Sequence, residues 1–573
     1  MSTAILAINY GGHDTSAAAM VDGELVAACE QERYDLTKHS RAFPMEAAQD
    51  CLDIAGIGWS DVSEIALSTD VIRGIRETYI RPALHDEERI GFLIRDIQRI
   101  EGAYGLKDFV REKTGYDGAI RSYRHHLCHL ASAYYPSGFD RAILVSHDGI
   151  GEIEASMIGV GDGGGLEIVD DNNRYPHSLG LLYSAITFYL GWQHHCDEGI
   201  IMGLAPYGDP HASIPGDGRT YHEVFSDILR ETGPLSYEVN QAWMAYYEVR
   251  DKWVSDQFVH TFGEKRAYDG PIHDHHKNVA AALQLRLEEV VLKQLQHCRE
   301  TYDISNIGIA GGVGLNCSMN GKILASGLFD SVFVQPAGGD AGIAVGACYL
   351  AQRRRDPDYQ PKKMHDFYLG HRADQDALDA AAAAAPFPAE KPDDLYAAVA
   401  DRLMDGKIVG WYQGGAEFGP RALGNRSILC RPFPAGMKDH INARVKFREA
   451  FRPFAPAVLD EFAGEYFVID QESPHMLMAV KVQPSARDRI PAVVHVDDSC
   501  RVQTVRAENN ARFRSLLEAF HERSGIPVLL NTSFNVKGQP IVNTPQQAVD
   551  CFAGTEIDCL VIGDYLIDKP SKG

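Results

Sequence analysis

The chain states one pattern twice, and that repetition constrains its fold more than any other feature. AILAIN (Ala4–Asn9) is an unbroken apolar run that reads as a buried strand, and the polar turn GGHDTS follows it. AAAMVDGELVAACE then reads as two strands meeting at Asp22-Gly23, a residue pair suited to the positive-φ positions of a two-residue hairpin. The second copy is RAILVSHDGIGEIEASMIGVGDGGGLEIV. It gives a strand over Ala142–Ser146, a polar turn, then strands meeting at the Gly161–Gly165 cluster. In each copy the first strand ends at a polar turn able to face a ligand.

Such a duplication is characteristic of the actin-like ATPase fold, in which two related halves enclose a nucleotide; a β-meander in an unrelated α/β protein has the same pattern. Helices are expected over Pro44–Gly56, Asp86–Thr114 and His273–Tyr302, the last with helical apolar spacing. IGIAGGVGLNCSMNGKIL and QPAGGDAGIAVGACYLAQRRR each read as a Gly-rich turn opening a helix. The charged, Pro-containing run Arg353–Asp366 has no periodicity and marks a boundary. Beyond it lie an Ala-rich helix near Ala380, a helix over Asp394–Met404 and the strand KIVGWYQ.

A chain of 573 residues implies more than one domain. Its net charge of -24 and lack of a basic run argue against nucleic acid, whose binding rests on neutralising phosphates. No signal peptide or membrane span is read, and the eleven Cys are scattered without a C-x-x-C pair. These features predict a cytoplasmic protein with reduced thiols.

Two groups of residues carry chemistry. In RHHLCHLASAYYPSG, His125 and His129 are four apart, which on a helix puts both imidazoles on one face, with His126 pointing elsewhere. Asp148 ends a strand in VSHDGIGE, and Asp340 sits in the turn AGGDAG. Two imidazoles with carboxylates suit Fe(II), Zn or Mn. The same spacing also suits histidines that cap a helix or sit satisfied in a core. His194-His195 and the His273, His275, His276 group compete, the latter reading as a solvated loop. The turns at Gly311, Gly312, Gly314 and at Gly338-Gly339 let backbone approach a phosphate or an adenine face.

The second group is cationic. GGAEFGPRALGNRSIL holds Arg421 and Arg426, ARVKFREAFRPFAP holds Lys446, Arg448 and Arg452, SCRVQTV holds Arg501, and NTSFN holds Asn531 and Ser533. Concentrated cations among Gly turns and apolar strands of an acidic chain suit a phosphate pocket. Taken singly, each also suits a surface ion pair.

GHDTSAAAMVDGELVAACEQERYDLTKHS, HHLCHLASAYYPSG, IMGLAPYG, AGGVGLNCSMNGKI, AGGDAGIAVGAC, GPRALGNRS, RPFAP and NTSFN together resemble the NodU/TobZ-type carbamoyltransferase family over essentially the whole chain. The resemblance implies an α/β protein. Residues 1–355 would form an actin-like carbamoyl-transfer domain (ASKHA, duplicated RNase H-like), 356–392 a connecting segment, and 393–573 a YrdC-like domain that forms carbamoyl-adenylate. It implies a metal, Fe(II) first, on His125, His129, Asp148 and Asp340. His13 and Lys38 would lie near the carbamoyl group and acceptor hydroxyl. Gly311, Gly312, Gly314, Asn316 and Gly339 would lie near the nucleotide. Arg421, Lys446, Arg452, Arg501, Asn531 and Ser533 would bind carbamoyl phosphate and ATP, with Mg²⁺ accompanying ATP. A homodimer and a hydroxylated small-molecule acceptor, such as a natural product, are expected. One departure stands out: where the family's run is G-K-x-M-G-L-A, this chain has Ile200 in place of Lys. Acceptor specificity is expected in loops such as those between Tyr207 and Gly270.

Two other readings share these domain types. A tRNA threonylcarbamoyladenosine-type modification enzyme conflicts with the acidic charge. A small-molecule kinase on the actin-like scaffold leaves the second, cationic group without a role.

Overall fold

A computed structural model describes residues 3–247, 249 and 252–570. The duplication is real in three dimensions. The first sheet uses β1 (Ala4–Asn9), β2 (Ser16–Val21), β3 (Glu24–Glu30), β4 (Val62–Leu67) and β5 (Ala119–Ser122), in the order β3-β2-β1-β4-β5. The second uses β6 (Arg141–His147), β7 (Ser156–Asp162), β8 (Gly165–Asp170), then, after the ribbon β9 (Leu229–Glu231) and β10 (Tyr237–Val239), β11 (Asn306–Ala310) and β12 (Ser331–Val334), in the order β12-β11-β6-β7-β8. In both, the opening strand pairs antiparallel with the second and parallel with the fourth. This repeated order is the duplicated, actin-like arrangement. The two hairpin turns match as well: Asp22-Gly23 and Gly163-Gly164 hold consecutive positive φ values, as a primed turn requires.

β1 is buried along its whole length because it is covered on both faces. Its alternate residues feed different cores. Leu6 and Ile8 pack with Ala47, Ala48 and Cys51 of the helix Met45–Ala55. Ile5 and Ala7 pack with Leu130, Leu144 and Val345 in a core shared by both sheets. That shared core holds the helices His125–Tyr134 and Ile343–Arg355. They approach so closely at Gly346 that a Cβ there would lie 1.8 Å from the Cys128 carbonyl oxygen.

The stretch expected to be helical over Asp86–Thr114 is helical, in several short pieces. A 3₁₀ turn (Glu87–Arg89) is followed by short helices at Ile90–Arg95, Ile97–Tyr104 and Leu106–Thr114. The breaks fall at Asp96 and Gly105, whose backbones leave regular helical geometry at ψ 17 and 0. The other expected helices appear at Met45–Ala55, Asp274–Tyr302, Gln375–Ala384 and Leu395–Met404.

The C-terminal part is a second α/β unit. Its mixed eight-stranded sheet runs β13-β22-β21-β14-β15-β20-β16-β19. The strands are β13 (Ala389–Glu390), β14 (Val409–Tyr412), β15 (Arg426–Cys430), β16 (Ala455–Leu459), β19 (Gln503–Val505), β20 (Val528–Ser533), β21 (Cys559–Ile562) and β22 (Tyr565–Asp568), with a separate ribbon of β17 (Ala479–Lys481) and β18 (Ser499–Arg501). Helices Leu395–Met404 and Ala507–Ser524 cover one face; Pro545–Ala553 and Gln375–Ala384 cover the other.

Two contacts seat this unit on the first. Arg33, 3% exposed, pairs with Glu30 at 2.6 Å and donates to the Gly419 carbonyl at 2.7 Å. Gly419, at φ +118, lies where a Cβ would stand 2.7 Å from the Pro336 carbonyl oxygen. The Arg421 loop is thereby pressed against the loop that leads to Asp340. Among the described residues no helix is long and apolar enough to cross a membrane, and all eleven Cys are free thiols.

Candidate active site

The helix His125–Tyr134 turns His125 and His129 to the same side. Its first turn is fixed by Glu152, whose carboxylate accepts the His125 N–H at 2.8 Å, a favourable place for negative charge. Asp148 follows β6, and its other oxygen accepts the Gly312 N–H at 3.0 Å. The result is a convergent cluster. His125 Nε2 and His129 Nε2 are each 3.0 Å from Asp148 Oδ2 and 3.1 Å from one another. Asp340 Oδ1 stands 3.5 and 3.9 Å from the two imidazoles.

One donor atom from each of the four residues lies within 4.8 Å of every other. Two ring nitrogens aimed at one carboxylate oxygen and at each other are poorly matched as hydrogen-bond partners alone. They are well matched to a shared cation with bonds of about 2.1 Å. His126 takes no part: its two nitrogens are used by Ser146 Oγ and the Glu154 carbonyl, both at 2.9 Å.

Electrostatics point the same way. Burial disfavours charge on His125, yet Asp340 and then Asp148 overcome it and hold the ring up at about 9. Burial and the Asp148 charge raise Asp340. Burial would raise Asp148 too, but its two imidazole partners hold it well below the usual carboxylate range. Two carboxylates buried together require positive charge beside them, as protons or as a metal ion.

Around this cluster opens a cavity of ≈ 2050 Å³. One wall carries His13, Lys38, His125, Asp148, Gly312, Asn316, Gly339 and Asp340; another carries Arg421, Lys446, Arg448, Arg452, Arg501, Asn531 and Ser533. The two groups of residues picked out in the sequence thus face one continuous space.

The cationic wall is built from mutually unfavourable charges. Burial, followed by Arg501 and Arg452, pulls Arg421 down to about 9. Burial, then Arg452 and Arg501, does the same to Arg448. Lys446 is driven well below its usual range, chiefly by burial and then by Arg448. It donates to the Asn535 side-chain oxygen at 2.8 Å and to the Ser533 carbonyl. Arg421 Nε, Arg501 Nε and Asn531 Oδ1 are buried with no partner in the chain. Cations left this way are suited to an anion of several negative charges.

Some expected residues have other work. Gly311 and Gly314 are not among the cavity's lining residues. Gly311, at φ +85, is needed because a Cβ would lie 2.2 Å from the His147 carbonyl oxygen. Asn316 caps the helix Cys317–Ala325 through the Met319 N–H as well as facing the cavity. Arg426 is fully buried, donates to the Gln413, Asn425 and His371 carbonyls, lies 3.7 Å over the Tyr412 ring and is not among the cavity's lining residues, so it supports the fold. The His273–His276 group stays outside the cavity, whereas His194 and His195 line it. Ile200 lines it too, 5% exposed, and presents an apolar side chain there. Of the Tyr207–Gly270 segment, Tyr246, Tyr247, Lys252, Trp253 and Tyr268 reach the cavity, while residues 248, 250 and 251 lie outside the described residues.

Four groups were not singled out from sequence as site residues. Glu152 needed the folded helix end to reveal it. Asp14, His39 and Cys196 line the cavity beside His13. Asp14 Oδ2 lies 2.8 Å from His13 Nδ1, and Oδ1 lies 2.7 Å from His39 Nδ1. Burial pulls His13 down, but Asp340 and Asp14 outweigh it and hold the ring at about 9. The adjacency of Lys38 and His39 in LTKHS was the available signal.

Residues 4–349 match the family model "Carbamoyltransferase N-terminus" and residues 400–569 match "Carbamoyltransferase C-terminus". The chain is 36% identical to nodulation protein NolNO of Sinorhizobium fredii over 97% of this chain and 79% of that protein. It is 29% identical to nodulation protein U of Rhizobium tropici, over 94% of this chain and 92% of the relative. It is 28% identical to 3'-hydroxymethylcephem-O-carbamoyltransferase of Streptomyces clavuligerus, over 96% of this chain and 97% of the relative. The crystal structure of HypF from T. kodakarensis aligns with 63% of this chain and 49% of its own at 14% identity and a TM-score of 0.32. With both halves matched by family models and these relatives aligned over at least 94% of this chain, the chain belongs to the NodU-type carbamoyltransferase family and is a carbamoyltransferase.

Proposed function

We propose that the cationic wall makes carbamoyl-adenylate and that the His/Asp wall transfers its carbamoyl group to a hydroxyl of a small-molecule acceptor. The observation that carries this reading is the single cavity lined by both walls. Carbamoyl phosphate and Mg²⁺-ATP bring many negative charges to the wall of Arg421, Lys446, Arg448, Arg452 and Arg501. Water cleaves carbamoyl phosphate to carbamate and phosphate. A carbamate oxygen attacks the α-phosphorus of ATP, and pyrophosphate leaves. The guanidinium groups stabilise charge on the phosphoryl oxygens as that bond forms.

In the transfer wall, His125, His129, Asp148 and Asp340 would hold Fe(II) or another divalent cation. When bound, that ion supplies positive charge for phosphate or ribose oxygens and for the carbamoyl oxygen. The acceptor oxygen attacks the carbamoyl carbon, AMP leaves, and the hydroxyl proton passes to His13. His13 must be neutral to accept it, and it lies 3.9 Å from Asp340. Positive charge on the Asp148–Asp340 pair weakens the field that holds His13 protonated, which brings it towards the working range of a base. Lys38 supplies a cation for the developing oxyanion. The relatives' names speak of nodulation and of a hydroxymethylcephem, and a natural-product acceptor fits the Tyr246, Tyr247, Trp253 and Tyr268 side of the cavity.

The test is exchange of labelled pyrophosphate into ATP. Exchange that depends on carbamoyl phosphate is expected; exchange indifferent to it would overturn the adenylate route.

A further inference from the structure

The reading above gives His13 and Lys38 complementary parts in one step, yet they sit on different loops. His13 is on the turn between β1 and β2, and Lys38 is on the loop after β3. The bases of the two loops are joined by backbone, with the Thr15 N–H donating to the Ser40 carbonyl at 3.1 Å. Beyond that point the join is made by side chains. Asp14 takes both imidazoles on one carboxylate, His13 Nδ1 on Oδ2 at 2.8 Å and His39 Nδ1 on Oδ1 at 2.7 Å. His39 is further fixed through its own N–H, which donates to Glu32 at 2.9 Å. The turn itself is anchored to the metal-ligand loop: the Asn9 amide donates to the Asp14 carbonyl at 2.9 Å and to the Asp340 carbonyl at 3.0 Å.

Three residues here, Asp14, Leu36 and His39, hold left-handed backbone at φ 55, 56 and 54. That conformation costs free energy for any residue with a Cβ, and such costs persist where surrounding contacts over-determine the geometry. The outcome is local chemistry. With each Nδ1 directed at Asp14, the Nε2 of His13 is the nitrogen left to face the cavity. Lys38, next to the clamped His39, is exposed to the same cavity and close enough to Lys446 for their charges to interact.

We propose that Asp14 and His39 are positioning residues, and that the Asp14 carboxylate clamps the Lys38 loop, through His39, to the turn that carries His13. The inference rests on the two-wall reading and adds to it the pair that sets the base and the cation against each other. Neither residue touches the reacting atoms.

The test uses the full chain with Asp14→Ala, His39→Ala, His39→Asn and the double Asp14→Ala/His39→Ala variant. Supplied carbamoyl-adenylate with hydroxylamine as the probe acceptor reads transfer, as AMP and hydroxyurea. His39→Ala is expected to lower kcat by about 10–100-fold with KM for carbamoyl-adenylate within about twofold. Asparagine tolerates left-handed backbone and its amide can donate to Asp14, so His39→Asn is expected to recover to within about threefold of the parent. The double variant is expected to be no worse than Asp14→Ala alone, because one clamp is cut only once. Carbamoyl-phosphate-dependent pyrophosphate exchange should stay within about twofold, since Arg421 and its neighbours are untouched. Amide hydrogen exchange over 36–40 should quicken at least about tenfold in His39→Ala and not in His39→Asn. Parent-like transfer by His39→Ala, multiplying losses in the double variant, or unchanged loop exchange would each overturn the clamp. Absence of pyrophosphate exchange in the parent would instead overturn the adenylate reading, while loop exchange still decides the clamp.

Discussion

The imidazoles of His125 and His129 meet 3.1 Å apart on one oxygen of Asp148. If the cluster holds a divalent cation as proposed, removing one of them should abolish that binding and leave the cationic wall intact. His125→Ala is expected to purify with little bound metal by elemental analysis and to lose transfer by about 10²–10³-fold. Pyrophosphate exchange should persist. Normal transfer by this variant would mean that the cluster is not the transfer site.

The opposite division is expected for Arg421→Ala. Its guanidinium faces the cavity with Nε unpartnered, so no internal contact of that atom is lost when it is cut back. Exchange should fall by about 10²–10³-fold, while supplied carbamoyl-adenylate is still consumed at close to the parent rate. Equal loss of both half-reactions would contradict a split between the walls.

Gly346 sets the distance between the helix that follows Asp340 and the helix that carries His125 and His129. A Cβ there would lie 1.8 Å from a backbone oxygen, which no rotamer change can relieve. Gly346→Ala should destabilise the chain by about 3 kcal/mol in urea denaturation and should weaken metal retention, because the two halves of the cluster are forced apart.

Acid should destabilise the fold through His475. Burial holds this imidazole down at about 4, with Glu472 opposing only in part, and the ring packs against Phe367 at 5.2 Å. The unfolded ring takes its proton near pH 6.5, the folded one only near 4. Its contribution is therefore complete above the unfolded value and declines as pH falls from 6.5 towards 4, by about 2 kcal/mol at pH 5. His475→Phe should leave stability at pH 8 little changed and should remove about that much of the loss measured at pH 5.

Much of this was legible in the sequence because it rested on local patterns. The i, i+4 histidines, the Asp-Gly hairpin and the strand-ending Asp148 each follow from periodicity or turn chemistry within a dozen residues. The cationic residues were legible as a group because an acidic chain seldom gathers them without reason. What could not be read was anything made by two distant segments. Arg426 resembled its neighbour Arg421, and only the folded loops show that its two terminal nitrogens are spent on backbone carbonyls. Gly311 looked like a ligand-facing glycine, yet it is required by the His147 carbonyl. Asp14 was hidden for the same reason: its importance comes from His39, twenty-five positions away. Helix over Asp86–Thr114 was legible, but not its interruptions at Asp96 and Gly105, which depend on where the chain must turn.

The lock between Arg33, Glu30 and Gly419 bears on how such proteins can be recombined. A guanidinium sealed from solvent between a strand end of one half and a backbone carbonyl of the other cannot tolerate a mismatched partner. Swapping C-terminal halves between relatives should therefore yield insoluble chimaeras unless the Gly419 loop is kept with the Arg33 segment it was shaped against. The two halves should be exchanged only as a matched pair.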